Sequence, residues 1–141
     1  MKIYLASSWR NIYYPHVLKY LRAEGFEVYD FRHPDGHFSW SEIDPNWTDW
    51  TVSQYRRNLN HDLATIGYNR DKAGMDGADT CILLLPCGRS AHTEAGFMKG
   101  QGKKVYALIP ETIEPELMYK VFDKIFVNSY ELIHYLKNEH L

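Results

Sequence analysis

The segment from Asp79 to Leu108, DTCILLLPCGRSAHTEAGFMKGQGKKVYAL, decides the fold. Its first apolar run, Cys81 to Pro86, stops abruptly at a short polar turn that contains a glycine. A stretch compatible with a helix follows, from about Ser90 to Lys99, and a second apolar run covers Val105 to Ile109. Two short apolar runs separated by a helix-sized segment are typical of a strand–helix–strand unit with parallel strands.

The rest of the chain continues this alternation of strands and helices. Apolar runs predict five strands, at Lys2–Ala6, Phe26–Phe31, Cys81–Leu85, Val105–Ile109 and Lys124–Val127. Helices are predicted around the apolar stripe of Tyr14 to Leu21, over Val52–Gly77 with interruptions at Gly67 and Gly74, and at Ser90–Lys99, Glu114–Phe122 and Ser129–Lys137. This pattern predicts an α/β fold of the flavodoxin-like type. Its doubly wound, five-stranded parallel sheet has the order 2-1-3-4-5, with helices on both faces.

One segment, residues 32–50, breaks the alternation. It contains Phe38, Trp40, Trp47 and Trp50 together with prolines and a glycine, which is too aromatic for a disordered linker. We expect an ordered loop inserted into a single domain of residues 1–141, with a helical turn near Ser41 to Ile43. Trp40 and its neighbours could stack a planar heteroaromatic ring; an oligomer interface or a satellite core is an equal alternative.

Composition excludes several classes of function. A net charge of −2 over 141 residues gives no case for a nucleic acid polymer as partner. No apolar run approaches the roughly 20 residues that span a bilayer, and the N-terminal run is too short for a signal peptide. Cys81 and Cys87 are expected to be reduced thiols of a cytoplasmic protein.

Glu94 follows the end of a predicted strand, at the edge where parallel α/β sheets bind ligands. With Ser90 as the N-cap, Glu94 falls in or just after the first helical turn, where the helix dipole favours an ionised carboxylate. Such a carboxylate can act as a nucleophile or stabilise a cationic centre. It can also simply complement the dipole, and the position alone leaves both interpretations open.

A second carboxylate would complete an acid/base pair with Glu94. Asp71, in the sequence GYNRD, is the candidate, although Asp76 and Asp79 compete for the role and a solvated helix acid is the simpler interpretation. Two carboxyl groups about 5 Å apart across a glycosidic bond are typical of cleavage through a covalent glycosyl-enzyme.

The loop Gly88–Arg89–Ser90 joins a strand to a helix, and N–H groups at a helix start can hold an anion. Arg89 adds a forked cation that suits carboxylate or phosphate. Ser7, Ser8 and Arg10 follow the first strand and are expected in the same crevice. Neither a P-loop nor a GxGxxG motif is present, so the pattern indicates phosphate only weakly.

Histidines suggest a metal site only weakly. His33 and His37 are four apart, but they lie in a loop rich in proline and glycine, and His92 has no partner at a metal-ligand spacing. Neither HExxH nor a Cys/His cluster occurs. The sequence therefore predicts no bound metal.

Three separated motifs resemble the nucleoside 2-deoxyribosyltransferase family, and the resemblance covers nearly the whole chain. The first is KIYLA at Lys2–Ala6, and the second is YNRD at Tyr68–Asp71, followed by Asp79 and an apolar strand. The third is EAGF from Glu94, followed by GKKV from Gly102. It is similar to the family's E-x-G-x-A…G-K-x-V signature.

The resemblance implies a role for each matching residue. Glu94 would attack C1′ of a nucleoside, Asp71 would handle the proton at the leaving base, and Tyr4 would hydrogen-bond and orient Glu94. A second base or water would then take the sugar. It implies no cofactor or metal, a small-molecule nucleoside or nucleotide as substrate, and a homo-oligomer, dimer or higher.

One departure concerns the turn before Glu94. Where the transferases usually carry an aspartate, this chain has Gly88 with Arg89 and Ser90 beside it. This is closer to the related nucleotide N-glycoside hydrolases, which bind a 5′-phosphate at that loop. A hydrolase of nucleoside 5′-monophosphates is therefore one alternative. A non-catalytic nucleotide sensor is another, and a flavin protein is a weaker third.

Overall fold

The computed structural model describes residues 1–32 and 38–138, and its strands follow the five apolar runs of the sequence. The bounds are β1 Lys2–Ala6, β2 Glu27–Tyr29, β3 Thr80–Leu84, β4 Lys104–Leu108 and β5 Lys124–Phe126. β3 is buried at every position, as expected of a parallel strand that is covered on both faces. β2 is shorter than the predicted Phe26–Phe31, since Phe26, Asp30 and Phe31 fall outside the ladder with β1.

All neighbouring strands are parallel, in the order β2-β1-β3-β4-β5. This confirms the predicted flavodoxin-like arrangement. The strand order reverses between β1 and β3, which pair with Leu5 opposite Ile82 and Ala6 opposite Leu83. The loops that follow these two strands therefore leave the sheet side by side, at the switch point where such folds bind ligands.

Helices α1 (Tyr14–Ala23) and α5 (Ser129–Asn138) share one face of the sheet. Their rings meet where Tyr20 contacts Tyr130 with centroids 5.5 Å apart, and Tyr135 of α5 packs on Tyr106 of β4 at 5.6 Å. Pro15 occupies the first turn of α1, as predicted. The chain leaves the helix through Gly25, whose φ of +91° is a conformation that favours glycine.

Helix α4 (Arg89–Gly100) covers the opposite face. Its buried residues Ala91, Ala95 and Met98 pack in one cluster with alternate residues of the central strands, among them Tyr4, Leu83 and Ala107. The small side chains of Ala91 and Ala95 let this helix lie close to the sheet. Glu94, which neighbours Ala95, therefore lies near β1.

Contacts divide the chain into two compact units, Met1–Asp30 with Met75–Leu141, and Phe31–Gly74. The first unit contains the whole sheet. The aromatic insertion predicted at residues 32–50 falls in the second unit, and a single domain over residues 1–141 remains a prediction. The second unit has a short 3₁₀ helix at Trp40–Glu42, close to the helical turn predicted near Ser41 to Ile43.

Two predicted helix interruptions in this region are wrong. Helix α2 (Val52–Asn58) ends well before Gly67, and α3 (Asp62–Gly77) runs unbroken through Gly67 and Gly74. Packing favours glycine at position 67, because a Cβ there would lie 3.0 Å from the Cβ of Phe38, a tight contact. The break lies instead before Asp62, where the His61 ring accepts a hydrogen bond from the N–H of Leu63 and caps α3.

A further helix is shorter than predicted. Of the segment Glu114–Phe122, only Leu117–Val121 is helical, and it forms a 3₁₀ helix. The Glu116 carboxylate accepts a hydrogen bond from the N–H of Met118, 2.7 Å away, and so caps this short element. This turn joins β4 to β5 and lies beside the start of α4, where Tyr119 contacts His92.

Candidate active site

Tyr4 and Glu94 meet at the carboxyl-terminal side of the sheet. The Tyr4 side chain leaves β1 on the face that α4 covers, and its hydroxyl donates a hydrogen bond to Oε2 of Glu94. Tyr4 is 0% exposed, whereas Glu94 is half-buried, so the carboxylate lies at the boundary between the core and solvent. A hydrogen bond to a partly desolvated carboxylate orients it and stabilises its charge.

Tyr29 holds the Tyr4 ring in place. The two residues are register partners in β1 and β2, and their rings stack with centroids 5.3 Å apart and an interplanar angle of 7°. Sequence reasoning missed Tyr29 because the pairing register of two parallel strands cannot be deduced from their apolar patterns alone.

The position of Glu94 in its helix differs from the prediction. The N-cap of α4 is Gly88 rather than Ser90, so α4 starts at Arg89 and Glu94 lies beyond the first turn. The helix dipole acts mainly within that first turn. The Tyr4 hydroxyl, rather than the helix dipole, is therefore the main polar contact of the Glu94 carboxyl group seen here.

Two thiols lie within electrostatic range of Glu94. Burial first, and then the Glu94 charge, raises the pKa of Cys87 to about 12. The same causes raise the pKa of the fully buried Cys81 still further above its ordinary value. Both thiols are thus protonated at neutral pH and are unsuited to nucleophilic attack. Among these three groups, a nucleophilic role remains open for Glu94 alone.

The loop after β1 is tied to the end of β3. The Ser7 hydroxyl donates to the Leu84 carbonyl at 2.9 Å, and Nδ2 of Asn11 donates to the Pro86 carbonyl at 3.1 Å. Asn11 also accepts a hydrogen bond from the N–H of Tyr13 at 2.8 Å and is only 3% exposed. Sequence reasoning missed Asn11, since nothing in the pattern marks an asparagine that spans two loops.

Ser8 and Arg10 occupy the outer part of the same loop. The Ser8 hydroxyl accepts a hydrogen bond from the N–H of Arg10 at 3.2 Å, and the Arg10 side chain is exposed. Ser7 differs, because it is buried and donates its hydroxyl hydrogen to the backbone. Its polar contribution to a ligand is limited to accepting a hydrogen bond.

Gly88, Arg89 and Ser90 are exposed at the start of α4. Glycine offers no side chain to cap the helix, so the first N–H groups of α4 receive no hydrogen bond from residue 88. Thr93 donates its hydroxyl to the Arg89 carbonyl at 2.8 Å, and Arg89 itself is exposed. N–H groups and a cation at one helix start can hold an anion.

Two further predicted site residues belong to the second unit. Asp71 is half-buried on α3. Trp40 is half-buried among aromatic rings, in edge contacts with Phe38, Trp50 and Tyr55 at centroid distances of 4.9, 5.8 and 6.1 Å. Those contacts agree with the alternative of a satellite core, since three other rings pack against the Trp40 indole.

Asp79, which competed with Asp71 for the acid role, lies at the amino-terminal end of the central strand β3. Tyr4 and Glu94 meet at the other end of the strands. Asp79 precedes β3, and its carboxylate accepts hydrogen bonds from the N–H of Lys2 at 3.1 Å and from the Thr80 hydroxyl at 2.8 Å. Asp79 therefore fixes the turn into β3, as its position before a buried strand suggested.

Among the described residues, no group of three or more His, Cys, Asp or Glu side chains could hold a metal ion. His33 and His37, the pair considered for a metal, lie outside the described residues. In the same part of the chain, every helix is too short or too polar to cross a membrane.

Solved structures share this fold. A 2-deoxyribosyltransferase from Bacillus psychrosaccharolyticus superposes with a TM-score of 0.66 at 21% identity, over 94% of this chain and 90% of that one. A conserved protein from Enterococcus faecalis V583 gives 0.66 at 12% identity, over 100% and 99%. A CMP N-glycosidase from Clostridium botulinum gives 0.54 at 16%, over 97% and 99%. No protein-family model matches the sequence, and no curated protein does either.

Proposed function

We propose that this protein is a nucleoside 2-deoxyribosyltransferase-like enzyme that cleaves the N-glycosidic bond of a (deoxy)nucleoside or nucleotide through a covalent glycosyl-Glu94 intermediate. The observation that carries the proposal is the hydrogen bond from the buried Tyr4 hydroxyl to the Glu94 carboxylate. The folds shared with a 2-deoxyribosyltransferase and a CMP N-glycosidase support the same class of reaction.

In the first step a carboxylate oxygen of Glu94 forms a bond to C1′ while the bond from C1′ to the base nitrogen breaks. The bonding electrons leave with the base, which takes up a proton. Tyr4 keeps the carboxylate oriented for this attack, which lowers the entropic part of the barrier. Asp71 is the proposed proton donor, because the resemblance matches it to the family's active-site aspartate.

In the second step an acceptor attacks C1′ from the face that the base has left, and the bond to Glu94 breaks. The acceptor gives its proton to the Asp71 carboxylate that the first step left deprotonated. The Tyr4 hydrogen bond stabilises the carboxylate as it regains its charge, so it assists departure as well as attack. An acceptor base makes the enzyme a transferase, and water makes it a hydrolase. Neither step needs a metal or a cofactor, since acid, nucleophile and acceptor supply all the chemistry.

The start of α4 is the proposed site for a 5′-phosphate. Gly88, Arg89 and Ser90 present helix N–H groups and a guanidinium to solvent, and Ser7, Ser8 and Arg10 belong to the loop tied to the neighbouring strand end. This arrangement favours the alternative of a nucleoside 5′-monophosphate N-glycoside hydrolase. For Trp40 we retain the sequence-based proposal that it stacks the substrate base.

The protein is also proposed to be a cytoplasmic homo-oligomer. Two free thiols, Cys81 and Cys87, support a reducing compartment. Large apolar side chains of α2 and its surroundings support association, since Val52 is 83% and Leu59 48% exposed. Light scattering coupled to size-exclusion chromatography measures the mass in solution, and a monomer at micromolar concentration would remove this part of the proposal.

Release of free base tests the activity. The protein is incubated with 2′-deoxynucleosides, ribonucleosides and their 5′-monophosphates, each with and without a second base, and the products are separated by chromatography. We expect base release from at least one substrate, and its loss in Glu94→Ala. Glu131→Ala, which removes an exposed helix carboxylate elsewhere, is the matched control and keeps full activity.

A second candidate function is a nucleotide sensor without catalysis. It is favoured by the exposed Gly88–Ser90 turn, which suits an anion whether or not chemistry follows. A sensor predicts that a nucleoside 5′-monophosphate raises the melting temperature while no base appears under any condition. Release of base from any substrate excludes it.

A further inference from the structure

His92 lies half-buried on α4, and both nitrogens of its imidazole have hydrogen-bond partners. Nδ1 is 2.8 Å from the Gly88 carbonyl oxygen, and Nε2 is 2.7 Å from the Tyr119 hydroxyl. A carbonyl oxygen can only accept, so Nδ1 carries the hydrogen. In the neutral ring Nε2 then accepts from Tyr119, and both ring nitrogens are engaged by defined partners.

The imidazole is further held by aromatic packing from a separate loop. Tyr119 belongs to the 3₁₀ helix Leu117–Val121 and stacks on His92 with centroids 5.7 Å apart at 19°. Tyr119 also stacks on Phe122 at 5.7 Å and 25°. The connection between β4 and β5 thereby fixes a side chain on α4, and the ring has little freedom to turn away from Gly88.

The Gly88 carbonyl accepts two hydrogen bonds from His92. It accepts the main-chain N–H of His92 at 3.3 Å, a long bond, and the side-chain Nδ1 at the shorter 2.8 Å. The Cys87 sulfur, 3.8 Å from Nδ1, is a weaker partner because burial and the Glu94 charge keep the thiol protonated. The side chain of His92 is therefore the main anchor of this carbonyl.

The orientation of the Gly88 carbonyl determines that of the next N–H group. A trans peptide is planar, so the N–H of Arg89 points opposite to the carbonyl of Gly88. Pulling the carbonyl toward His92 aims this N–H out of the helix start, toward the space in which the proposed phosphate would lie.

From these contacts we propose that His92 is a positioning residue for substrate phosphate, with Tyr119 holding its ring. It sets the orientation of the Gly88–Arg89 peptide and so the affinity of the Gly88–Ser90 turn for a 5′-phosphate. This inference rests on the proposed function of that turn. It concerns how the phosphate is recognised, and it leaves the chemistry at Glu94 unchanged.

The test compares His92→Ala, His92→Asn and Tyr119→Phe with the wild type. Asparagine places an N–H₂ donor near the position of Nδ1, so it keeps the bond to Gly88 and loses the bond to Tyr119. Tyr119→Phe keeps both ring stacks and loses only the hydroxyl. Inorganic phosphate is titrated into ¹⁵N-labelled protein, and the shift of the Arg89 amide signal gives its dissociation constant. This measurement does not depend on turnover.

We expect His92→Ala to weaken phosphate binding about tenfold, because the hydrogen bond that orients the Gly88–Arg89 peptide is lost. His92→Asn restores most of that loss, and Tyr119→Phe weakens binding by a few-fold only. In turnover assays, His92→Ala raises KM for a nucleoside 5′-monophosphate by a similar factor. Its kcat, and its KM for the unphosphorylated nucleoside, stay within twofold of wild type.

Several results would overturn the inference. The first is an Arg89 amide signal that does not respond to phosphate in the wild type. The second is an equal loss of phosphate affinity in His92→Ala and His92→Asn. The third is an equal rise of KM for phosphorylated and unphosphorylated substrates in His92→Ala. If His92→Ala does not fold, Tyr119→Phe decides, and unchanged phosphate affinity there counts against it. Failure of the wild type to release base from any substrate would instead refute the proposed function, while the phosphate titration would stand.

Discussion

Tyr4 of β1 donates its hydroxyl hydrogen bond to Glu94 of α4, across ninety positions of sequence. The tyrosine is buried and stacked on Tyr29, so the donor is held by the sheet, while the acceptor lies where the helix faces solvent. A rigid donor beneath a half-exposed carboxyl group fixes the orientation of that group.

Tyr4→Phe tests what this hydrogen bond contributes. The phenyl ring keeps the stack on Tyr29, so the fold is preserved, but the carboxylate loses its donor. A hydrogen bond to a charged group contributes about 1.5–3 kcal/mol, so kcat is expected to fall by about 10- to 100-fold. Tyr13→Phe, which breaks a tyrosine–glutamate bond of 2.8 Å to Glu111 elsewhere, is the control and leaves kcat unchanged. Equal kcat values for wild type and Tyr4→Phe would remove Tyr4 from the mechanism.

Arg89→Ala tests the proposed phosphate site. Arg89 is exposed at the helix start, so its removal is not expected to affect stability. KM for a nucleoside 5′-monophosphate is expected to rise about tenfold, because a charged hydrogen bond is lost, while KM for the nucleoside is unchanged. Lys103 carries a charge remote from this turn, bound to the Met75 carbonyl at 2.7 Å, and Lys103→Ala should show no such selectivity. Identical changes for both substrates would place the phosphate elsewhere.

Asn11 is expected to be important for stability. Its side chain joins the loop after β1 to the Pro86 carbonyl and to the N–H of Tyr13, and it is buried. Asn11→Ala leaves these groups without that partner and should lower the free energy of unfolding by about 2 kcal/mol. Asn11→Asp keeps an acceptor for Tyr13 but turns a negative oxygen toward Pro86, so it should destabilise at least as much. Urea denaturation measures both, and losses below about 0.5 kcal/mol would contradict this role.

Asp123 links stability to pH. Burial raises the pKa of its carboxyl, but the hydrogen bonds from the Val105 N–H and from Lys99, with the nearby lysine charges, outweigh burial and lower it overall. A lowered pKa in the folded state means that the stabilisation is complete at neutral pH. It is lost as the pH falls below the ordinary value of 3.8 toward the folded-state value.

Asp123→Asn therefore lowers the free energy of unfolding at pH 7 by about 1 kcal/mol, and the difference from wild type narrows below pH 4. Thermal unfolding across this pH range provides the measurement. A difference that is constant from pH 7 to pH 3 would show that the Asp123 charge does not contribute.

The fold could be predicted from sequence because the apolar runs of a parallel sheet are buried on both faces and stand out. β3 and β4 differ from their predicted bounds by one residue at each end. The two interruptions wrongly predicted in α3 came from treating Gly67 and Gly74 as helix breakers. A glycine can lie inside a helix where a neighbour packs closely, as Phe38 does at Gly67.

The site was only partly predictable. A tyrosine in the first strand and a glutamate after the third can be recognised by resemblance, and the structure joins them. Tyr29, Asn11 and the His92–Tyr119 pair depend on strand register and on contacts between distant loops, which no local pattern encodes. For His92 the sequence suggested only a metal ligand without a partner, whereas its partners are a carbonyl and a phenol.

Mass spectrometry of the protein after rapid acid quench tests the role of Glu94 most directly. The substrate is whichever nucleoside or nucleotide releases base, supplied without an acceptor base. We predict that the protein gains the mass of the sugar or sugar phosphate less one water, and that proteolysis locates this addition on Glu94. The addition is absent in Glu94→Gln, which also loses at least 10³-fold in kcat. Base release with no covalent addition at any time point, or an addition on another residue, would contradict the proposed mechanism.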